Sequence, residues 1–224
     1  MIKLSQELPK KAGGKAQRLA ELYQAGFSVP CGVVVLPNEE ITQCAIEAGL
    51  QECQAHTYAV RSSFALEDGE SHSFAGIFES ETEVPKQQLT EAVKRVRASA
   101  DTERAKQYGS LANVTISSDC MSVVIQEMVV ADIYGVCFTK APNEQDQMLI
   151  SVSKHHEGVT GGENSETHKL ARVGGTLHPI YALVRDAALN IERLFGAPQD
   201  IEYAIQDIDG SPVLVVLQSR PITS

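Results

Sequence analysis

The sequence lacks tryptophan, and only 5% of its 224 residues are aromatic. It has no run of about 18 apolar residues, the length that a membrane-crossing helix needs, and its N-terminus has no apolar signal core. Five cysteines are scattered along the chain, without the short paired spacings of a zinc site or a disulfide framework. We therefore expect a cytoplasmic protein with no membrane association and no disulfide framework.

Positive charge is also scarce. The chain has 19 lysine and arginine residues against 29 aspartate and glutamate residues, for a net charge of −10. Such a balance disfavours charge-driven binding to nucleic acid or to an anionic membrane surface. It leaves room for a nucleotide in a local basic pocket. The 43% hydrophobic content predicts a globular protein with a substantial core.

Hydrophobic periodicity predicts alternating helices and strands. We expect helices at residues 16–25, 39–52, 86–108 and 179–195. We expect strands at residues 33–36, 58–60, 122–126, 135–139, 149–152, 201–205 and 213–218. The fold class is therefore α/β (α+β), with a first lobe over residues 1–115 and a second over residues 116–224.

The first motif is Gly-Gly-Lys at residues 13–15, directly before a predicted helix. A flexible backbone and the Lys15 cation near a positive helix end suit phosphate oxygens. The motif is not a P-loop, because the Gly-x-x-x-x-Gly-Lys-Ser/Thr pattern is missing. A solvated lysine at a helix start explains the same residues.

The second motif is Val-Arg-Ser-Ser at residues 60–63, which places Arg61 at the end of a strand. Arginine offers forked donors that suit phosphate. A polar stretch at residues 64–76 follows, and it predicts a long loop of the kind that often carries function. The alternative for Arg61 is a structural ion pair with Glu67 or Asp68.

The third motif is a predicted hairpin that turns at residues 209–210. By strand alternation Asp200 and Glu202 share one face of the first strand, and Gln218 and Arg220 share one face of the second. Oxygen ligands for Mg²⁺ and a cation for a transferred phosphoryl group can thus converge. An ordinary cross-strand ion pair between Glu202 and Arg220 is the competing account.

Two further segments contain residue types that can carry chemistry. Residues 126–129, Gln-Glu-Met-Val, end a strand where backbone groups can read an adenine edge, although core sequence often has the same composition. His155 and His156 are adjacent, so their side chains diverge, and a joint metal role is disfavoured.

Taken in order, these motifs resemble the PEP/pyruvate-binding nucleotide domain shared by pyruvate phosphate dikinase, phosphoenolpyruvate synthase, glucan water dikinase and rifampicin phosphotransferase. The order of the motifs makes the resemblance specific. The matching stretches are residues 13–15, 29–32, 59–63, 67–68, 73–76, 124–129, 132–139 and 195–223. The resemblance implies a two-lobed ATP-grasp nucleotide-binding fold in a minimal version.

The resemblance also implies roles for individual residues. Lys15 and Arg61 would contact the phosphates of ATP, Arg220 would face the γ-phosphate, and these three would be the catalytic residues. Glu202 and Gln218 would hold Mg²⁺, with Asp200 supporting the metal site. The loop from Ser73 to Gly76 would cover the phosphates. The adenine pocket would be lined by Gln126, Met128 and Val129.

Some stretches depart from the family pattern. Family members usually have several more helices between a Val-Pro-Pro-Gly-like turn, here Val-Pro-Cys-Gly at residues 29–32, and the Val-Arg-Ser-Ser strand. Only residues 33–58 lie between them in this chain, so the first lobe is shorter than usual. The usual Phe-Thr-x-Asp-Pro becomes Phe-Thr-Lys-Ala-Pro at residues 138–142, which replaces a carboxylate by Ala141. Residues 154–157, Lys-His-His-Glu, stand where Gly-Leu-Gly-Glu is usual. These changes affect loops on the substrate side.

The leading hypothesis is an ATP-dependent phosphotransferase component that phosphorylates a histidine on a separate carrier protein or domain. No stretch of the sequence matches the phosphohistidine domain of larger relatives, although residues 174–178 resemble its signature faintly. A small-molecule kinase is the enzymatic alternative. A non-catalytic nucleotide sensor or scaffold is the other, motivated by Ala141 and the short first lobe. A domain excised from a longer protein is a third reading, which the Met1 start weakly disfavours.

Overall fold

The computed structural model describes residues 1–64, 76–155 and 165–222. The chain divides into two compact units, the first formed by Met1–Gln24 with Pro30–Val129 and the second by Ala25–Val29 with Val130–Ile222. Each unit contains a five-stranded sheet whose neighbouring strands are antiparallel. In the described part of the chain, no helix is long and apolar enough to cross a membrane.

Outside residues 65–75, which the structure does not describe, the first unit combines its sheet with four α-helices. The helices are α1 (Gly14–Gln24), α2 (Gln43–Gly49), α3 (Leu89–Ala98) and α4 (Glu103–Leu111). The strands, in sheet order, are β1 (Ile2–Lys3), β2 (Gly32–Val35), β5 (Ser122–Glu127), β3 (Thr57–Ser63) and β4 (Ser80–Pro85).

The core of the first unit lies between α3 and its sheet. Leu89, Val93 and Val96 recur at helical spacing along α3 and are fully buried. Helix α3 packs against β3, β4 and β5. Val60 of β3 and Ile125 of β5 point from the sheet toward α3 and belong to the same buried hydrophobic cluster as its three residues. One face of this sheet is therefore covered by α3. The strand residues that alternate with Val60 and Ile125 point to the other face.

The single helix predicted for residues 86–108 is wrong, because the structure has two. Helix α3 ends before a 3-10 turn at Ser99–Asp101, and α4 begins after Thr102. The Thr102 hydroxyl caps α4 by accepting a hydrogen bond from the Ala105 amide at 3.3 Å. A threonine with β-region backbone starts a new helix here.

Among its described residues, the second unit combines its sheet with one long helix, α5 (Pro179–Phe195). Its strands, in sheet order, are β10 (Ser211–Pro221), β9 (Gln199–Ile208), β6 (Ile133–Phe138), β7 (Gln147–Ser153) and β8 (Glu166–Ala171). Strand β8 was not predicted, because most of its residues are polar and it lies at the sheet edge. The β9–β10 hairpin is confirmed, with its turn at Asp209 and Gly210, both at positive φ.

Helix α5 has the bounds that the sequence predicts. Pro179 occupies its first turn, and Gly196 ends it at a φ of 69°. Its buried stripe of Val184, Ala188 and Ile191 lies on the face that packs toward β9 and β10. This helix covers one face of the second sheet.

Two features of the first unit were not predicted from the sequence. Strand β5, which the sequence assigned to the second lobe, pairs with β2 and β3 in the first sheet, and the first compact unit extends to Val129 rather than to residue 115. The cysteine spacing, which indicates no disulfide framework, also does not reveal that Cys31 and Cys53 are joined by a disulfide, with a Cα–Cα distance of 5.6 Å. Their separation of 22 residues hides the pair from any short-spacing pattern.

Candidate functional site

In the first unit, the Gly-Gly-Lys segment lies directly against the end of β3. Gly13 has a φ of 88°, and a Cβ there would overlap the carbonyl of Ser63. The Ser63 hydroxyl accepts a hydrogen bond from the Ala16 amide at 3.0 Å. The Lys15 ammonium donates to the Ser62 carbonyl at 2.9 Å. Two motifs that are 47 residues apart in sequence are therefore adjacent in space.

Arg61 and Gln126 lie on the same face of the first sheet. Ala59 is paired with Gln126, and Arg61 lies two residues further along β3, so alternation points both side chains away from the α3 core. Both are buried, Arg61 at 8% exposure and Gln126 at 2%. The buried Nε2 atom of Gln126 has no hydrogen-bond partner among the described residues. A buried donor without a partner is costly, and it is the kind of group that a ligand satisfies.

The end of β5 is fixed by backbone and carboxylate contacts. The Met128 amide donates to the Thr57 carbonyl at 3.0 Å, and the Glu127 amide donates to the Cys31 carbonyl at 2.9 Å. Glu127 also accepts a hydrogen bond from the Ala55 amide at 2.8 Å. Met128 and Val129 are half-buried at the point where the chain leaves the sheet.

In the second unit, the hairpin register brings the predicted metal and phosphate residues side by side. Gln218 is directly opposite Glu202, and Arg220 is directly opposite Asp200. Directly opposed residues share a face, so all four point to the same side of the sheet. The neighbours Ile201 and Tyr203 are buried on the other side.

A β-bulge produces this register. The pairing shifts by one residue between Val216 and Gln218, which leaves Leu217 as the extra residue on β10. Without the shift, Gln218 would be opposite Ile201 and would point to the core face. Alternation within each strand was predictable from sequence, whereas this match between strands depends on the bulge.

Arg220 is held by Asp200. The Arg220 Nη2 atom is 2.6 Å from the Asp200 Oδ2 atom, and the Nε atom donates to the same oxygen at 2.8 Å. Burial raises the pKa of the Asp200 carboxyl, and the nearby Arg220 cation offsets only part of this rise. The Arg220 side chain remains 38% exposed, so the guanidinium is accessible.

Three buried polar residues that sequence reasoning missed fix the start of β9. The Thr139 amide donates to the Gln199 carbonyl at 2.9 Å, and the Gln199 amide donates to the Thr139 hydroxyl at 2.8 Å. The Ser219 hydroxyl donates to the Gln199 side-chain oxygen at 2.9 Å. These contacts hold both ends of the hairpin that carries Asp200 and Arg220. Only their position next to predicted site residues signals them in the sequence.

Several predicted residues lie outside the described part of the chain. These are Ser73 with most of its loop, the acidic pair Glu67 and Asp68, and His156. Gly76 is described, and it is exposed at a φ of 71°.

The described residues contain no group of three or more histidine, cysteine, aspartate or glutamate side chains placed to hold a metal. Mg²⁺ in nucleotide sites commonly uses one or two carboxylates together with phosphate oxygens and water. Glu202 and the amide oxygen of Gln218 suit that ligand set, because both supply hard oxygen atoms on one face. The residues present therefore fit a magnesium–nucleotide complex.

Comparison with known proteins identifies relatives over most of the chain. Residues 38–165 match the family described as pyruvate phosphate dikinase, AMP/ATP-binding domain. A rifampicin phosphotransferase from a Streptomyces species is 31% identical over 86% of this chain and 26% of its own length. The phosphoenolpyruvate synthase of Pyrococcus furiosus is 30% identical over 83% of this chain and 28% of its own length. The chain thus spans about a quarter of the length of these relatives.

Solved structures support the same fold at low sequence identity. The D-alanine-D-alanine ligase from Coxiella burnetii aligns with a TM-score of 0.54 and 9% identity, covering 93% of this chain and 47% of the ligase. A D-cycloserine synthetase aligns with a TM-score of 0.52 and 14% identity, covering 96% of this chain and 64% of the synthetase. These ligases have the ATP-grasp fold, so the expected fold is confirmed.

The family match covers more than half of the chain, and the relatives named above extend it across both units. This chain belongs to the pyruvate phosphate dikinase AMP/ATP-binding domain family.

Proposed function

We propose that this chain binds Mg-ATP and transfers a phosphoryl group to a histidine on a separate carrier protein or domain. The observation that carries the proposal is the β9–β10 register. It aligns Glu202 with Gln218 and Asp200 with Arg220 in a chain of an AMP/ATP-binding family. Hard oxygen ligands and a cation on one face are what a magnesium-bound triphosphate requires.

The β9–β10 hairpin would provide oxygen ligands for Mg²⁺ and a cation for the transferred phosphoryl group. Mg²⁺, when bound, would neutralise phosphate charge and orient the chain of phosphates. Glu202 and Gln218 would hold it, and Asp200 would support the site by keeping Arg220 in place. Arg220 would stabilise the charge that develops on the transferred group, because its guanidinium is accessible and fixed by its ion pair.

The first unit supplies the remaining contacts of the proposal. Lys15 and Arg61 would bind the phosphates, and the loop from Ser73 to Gly76 would cover them. Gln126 would satisfy its buried amide nitrogen with the nucleotide, which accounts for an otherwise costly group. The backbone at Met128 and Val129 would face the adenine. The support for this placement is the resemblance, together with the geometry within the unit.

We place the phosphoryl acceptor outside these 224 residues. The printed names of the relatives are those of phosphotransferases and a synthase, and each relative extends far beyond the matched part. A carrier histidine would accept the group through an imidazole nitrogen, which gives an acid-labile phosphoramidate. The leaving group would be ADP if the γ-phosphoryl group passes, whereas passage of the β-phosphoryl group would release AMP, with the γ-phosphate transferred to water. The chain itself would then act as an ATP-dependent phosphotransferase, and we expect it to work in the cytoplasm.

Labelled ATP tests the transfer. The chain is incubated with Mg²⁺, with a purified phosphohistidine-carrier domain of the family, and with ATP labelled at either the β- or the γ-phosphate. We expect an acid-labile label on the carrier, and the label's position identifies which phosphate is passed. The Glu202→Gln variant should lose the label, whereas the exposed Glu103→Gln variant should retain it.

Two results would count against the transfer. If ATP binds but the carrier stays unlabelled, the chain is a nucleotide sensor or scaffold rather than an enzyme. If the carrier is labelled equally by the Glu202→Gln variant, the assignment of the hairpin is wrong.

A further inference from the structure

The segment at the end of β5 is anchored on two sides by groups that the proposed function does not use. We infer that the Cys31–Cys53 disulfide and the Glu127 carboxylate form a redox-sensitive brace that sets the affinity of the chain for nucleotide. This inference rests on the proposed function, because it takes residues 126–129 as the adenine-facing segment. "Brace" denotes Cys31, Cys53 and Glu127 below.

The first side of the brace is the start of β2. The Cys31 carbonyl accepts a hydrogen bond from the Glu127 amide at 2.9 Å. The next residue, Gly32, is paired with Gln126, and a Cβ on Gly32 would overlap the Ile125 carbonyl. The backbone around Cys31 therefore lies in close contact with the end of β5.

The second side of the brace is the stretch that follows Cys53. The Glu127 Oε1 atom accepts hydrogen bonds from the amides of Gln54 and Ala55, the latter at 2.8 Å. Thr57, two residues on, accepts from the Met128 amide at 3.0 Å. Residues 53–57 thus bind both the side chain of Glu127 and the backbone of Met128.

The disulfide is the covalent link between the two sides. It joins Cys31 to Cys53 across a Cα–Cα distance of 5.6 Å. Without it, only noncovalent contacts hold the stretch after Cys53 to β5, and the hydrogen bonds among them compete with water at exposed positions. Pre-organised backbone binds a ligand more tightly, because less conformational entropy is lost on binding.

Glu127 lies opposite a fully buried tyrosine. Tyr58 is paired with Glu127 across the two strands and is fully buried. Burial, and then the negative charge of Glu127, raise the pKa of the Tyr58 phenol. The strand pairing thus places Glu127 beside a fully buried residue of the first unit's core.

The chemical step is thiol–disulfide exchange with a dithiol reductant. A thiolate of the reductant attacks one sulfur of the Cys31–Cys53 bond, that bond breaks, and a mixed disulfide forms. The second thiol of the reductant then displaces the remaining cysteine. Two protons and two electrons pass to the protein, which gains two thiols, and the reductant ends as its own disulfide. In a reducing compartment, disulfides are commonly of this reversible, sensing kind.

Both cysteines of the disulfide have some exposure to solvent, which the attacking thiolate requires. Cys31 is half-buried, and Cys53 is 9% exposed. Among the other cysteines, Cys44 and Cys120 are exposed free thiols and Cys137 is a buried one. The Cys44→Ser, Cys120→Ser variant therefore removes competing surface thiols and leaves the brace unchanged.

The test is a calorimetric titration of that variant with Mg-ATP, before and after reduction with dithiothreitol. Thiol counting under denaturing conditions verifies the redox state. In parallel, hydrogen exchange reports on the amides of Glu127 and Met128, with the Ala204 amide in the second sheet as an internal reference. Circular dichroism confirms that the reduced protein stays folded.

We expect reduction to raise the dissociation constant for Mg-ATP about tenfold. Exchange at Glu127 and Met128 should become faster, while exchange at Ala204 should not change. A Cys31→Ser, Cys53→Ser variant should match the reduced protein and should not respond to the dithiol. Glu127→Ala should weaken binding, whereas Glu127→Gln should not, because the amide oxygen still accepts both hydrogen bonds.

The results separate this inference from the proposed function. Equal affinity in the two redox states, or free thiols at Cys31 and Cys53 in the unreduced protein, would overturn the brace and leave ATP binding intact. Absence of ATP binding in both redox states would overturn the proposed function. It would also overturn the inference that the brace sets the affinity for nucleotide.

Discussion

Gly13 connects the first two motifs at the scale of a single residue. Its φ of 88° and ψ of 160° belong to a region that glycine alone occupies readily. The sequence identified residues 13–15 as a flexible phosphate-binding segment. The structure adds that the glycine permits contact with Ser63, which places Lys15 beside β3.

We predict that Gly13→Ala lowers the free energy of unfolding by about 1–3 kcal/mol, because the backbone conformation is strained for alanine and its Cβ overlaps Ser63. Gly26→Ala is the matched control. Gly26 has a φ of 86°, but nothing lies within 4 Å of a Cβ there. Urea denaturation followed by circular dichroism measures both, since the chain has no tryptophan. Equal losses in the two variants would contradict the close contact with Ser63.

Asp200 acts on the proposed site through Arg220. Its oxygen contacts two nitrogen atoms of the guanidinium, at 2.6 and 2.8 Å. We predict that Asp200→Asn weakens Mg-ATP binding about tenfold, equivalent to about 1.4 kcal/mol, because the charge that orients Arg220 is lost. Asp186→Asn, on the exposed side of α5, should bind like the wild type. Unchanged affinity in Asp200→Asn would show that Arg220 needs no such partner.

At the scale of elements, the bulge in β10 decides which face carries the site. We predict that insertion of one alanine after Leu217 abolishes Mg-ATP binding, because with the bulge retained Gln218 would move opposite Ile201 and, like Arg220, would turn to the other face of the sheet. Leu217→Val keeps the residue count and should retain binding. Circular dichroism establishes that the insertion variant still folds. A folded insertion variant that binds Mg-ATP normally would contradict the register argument.

Helix α5 offers a test of its buried stripe. Ile191 is fully buried, whereas Leu194 on the same helix is 42% exposed. We predict that Ile191→Ala costs about 2–5 kcal/mol of unfolding free energy through the cavity it leaves. Leu194→Ala should change it by less than about 0.5 kcal/mol. Thermal or urea unfolding measures both, and similar losses would contradict the packing of α5.

Helix α5 is also joined to the residue after β8 by an ion pair. Arg172 donates to both oxygens of Glu192, at 2.6 and 3.1 Å. Burial alone would raise the pKa of Glu192, but hydrogen bonds from Arg172 and Thr139 and the nearby cations lower it below 4.5. The stabilisation is therefore present above pH 4.5 and is lost as the pH falls through the folded-state value.

We predict that Glu192→Gln lowers the free energy of unfolding at pH 7 by about 2 kcal/mol, because a charge-assisted contact is lost. The difference from the wild type should shrink below pH 4.5. Urea denaturation at pH 7 and pH 3.5 measures this. A difference that does not depend on pH would mean that Glu192 acts through packing rather than charge.

At the scale of the whole molecule, local patterns were predictable and long-range pairings were not. Helix α5 and the β9–β10 hairpin followed from periodicity, a proline, two glycines and a two-residue turn, all of which act over a few residues. The assignment of β5 to the first sheet and the Cys31–Cys53 link depend on distant partners, which periodicity does not identify. Strand β8 was missed because an exposed edge strand needs few apolar residues.

The candidate site shows the same division. The shared face of Asp200 and Glu202 was predictable from alternation, whereas the bulge and the supporting residue Gln199 were not. Lys15 and Arg61 could be proposed only from the order of motifs along the chain, because single motifs of this kind are weak. The structure shows that Lys15 lies beside β3, the strand that carries Arg61.

A calorimetric titration with ATP, with and without Mg²⁺, tests the central claim most directly. The wild type is compared with a Glu202→Ala, Arg220→Ala double variant whose folding is verified by circular dichroism. We predict micromolar binding to the wild type, about −8 kcal/mol, that depends on Mg²⁺ and is lost in the variant. Absence of binding to the folded wild type, or equal binding to the variant, would contradict the claim that this hairpin holds a magnesium–nucleotide complex.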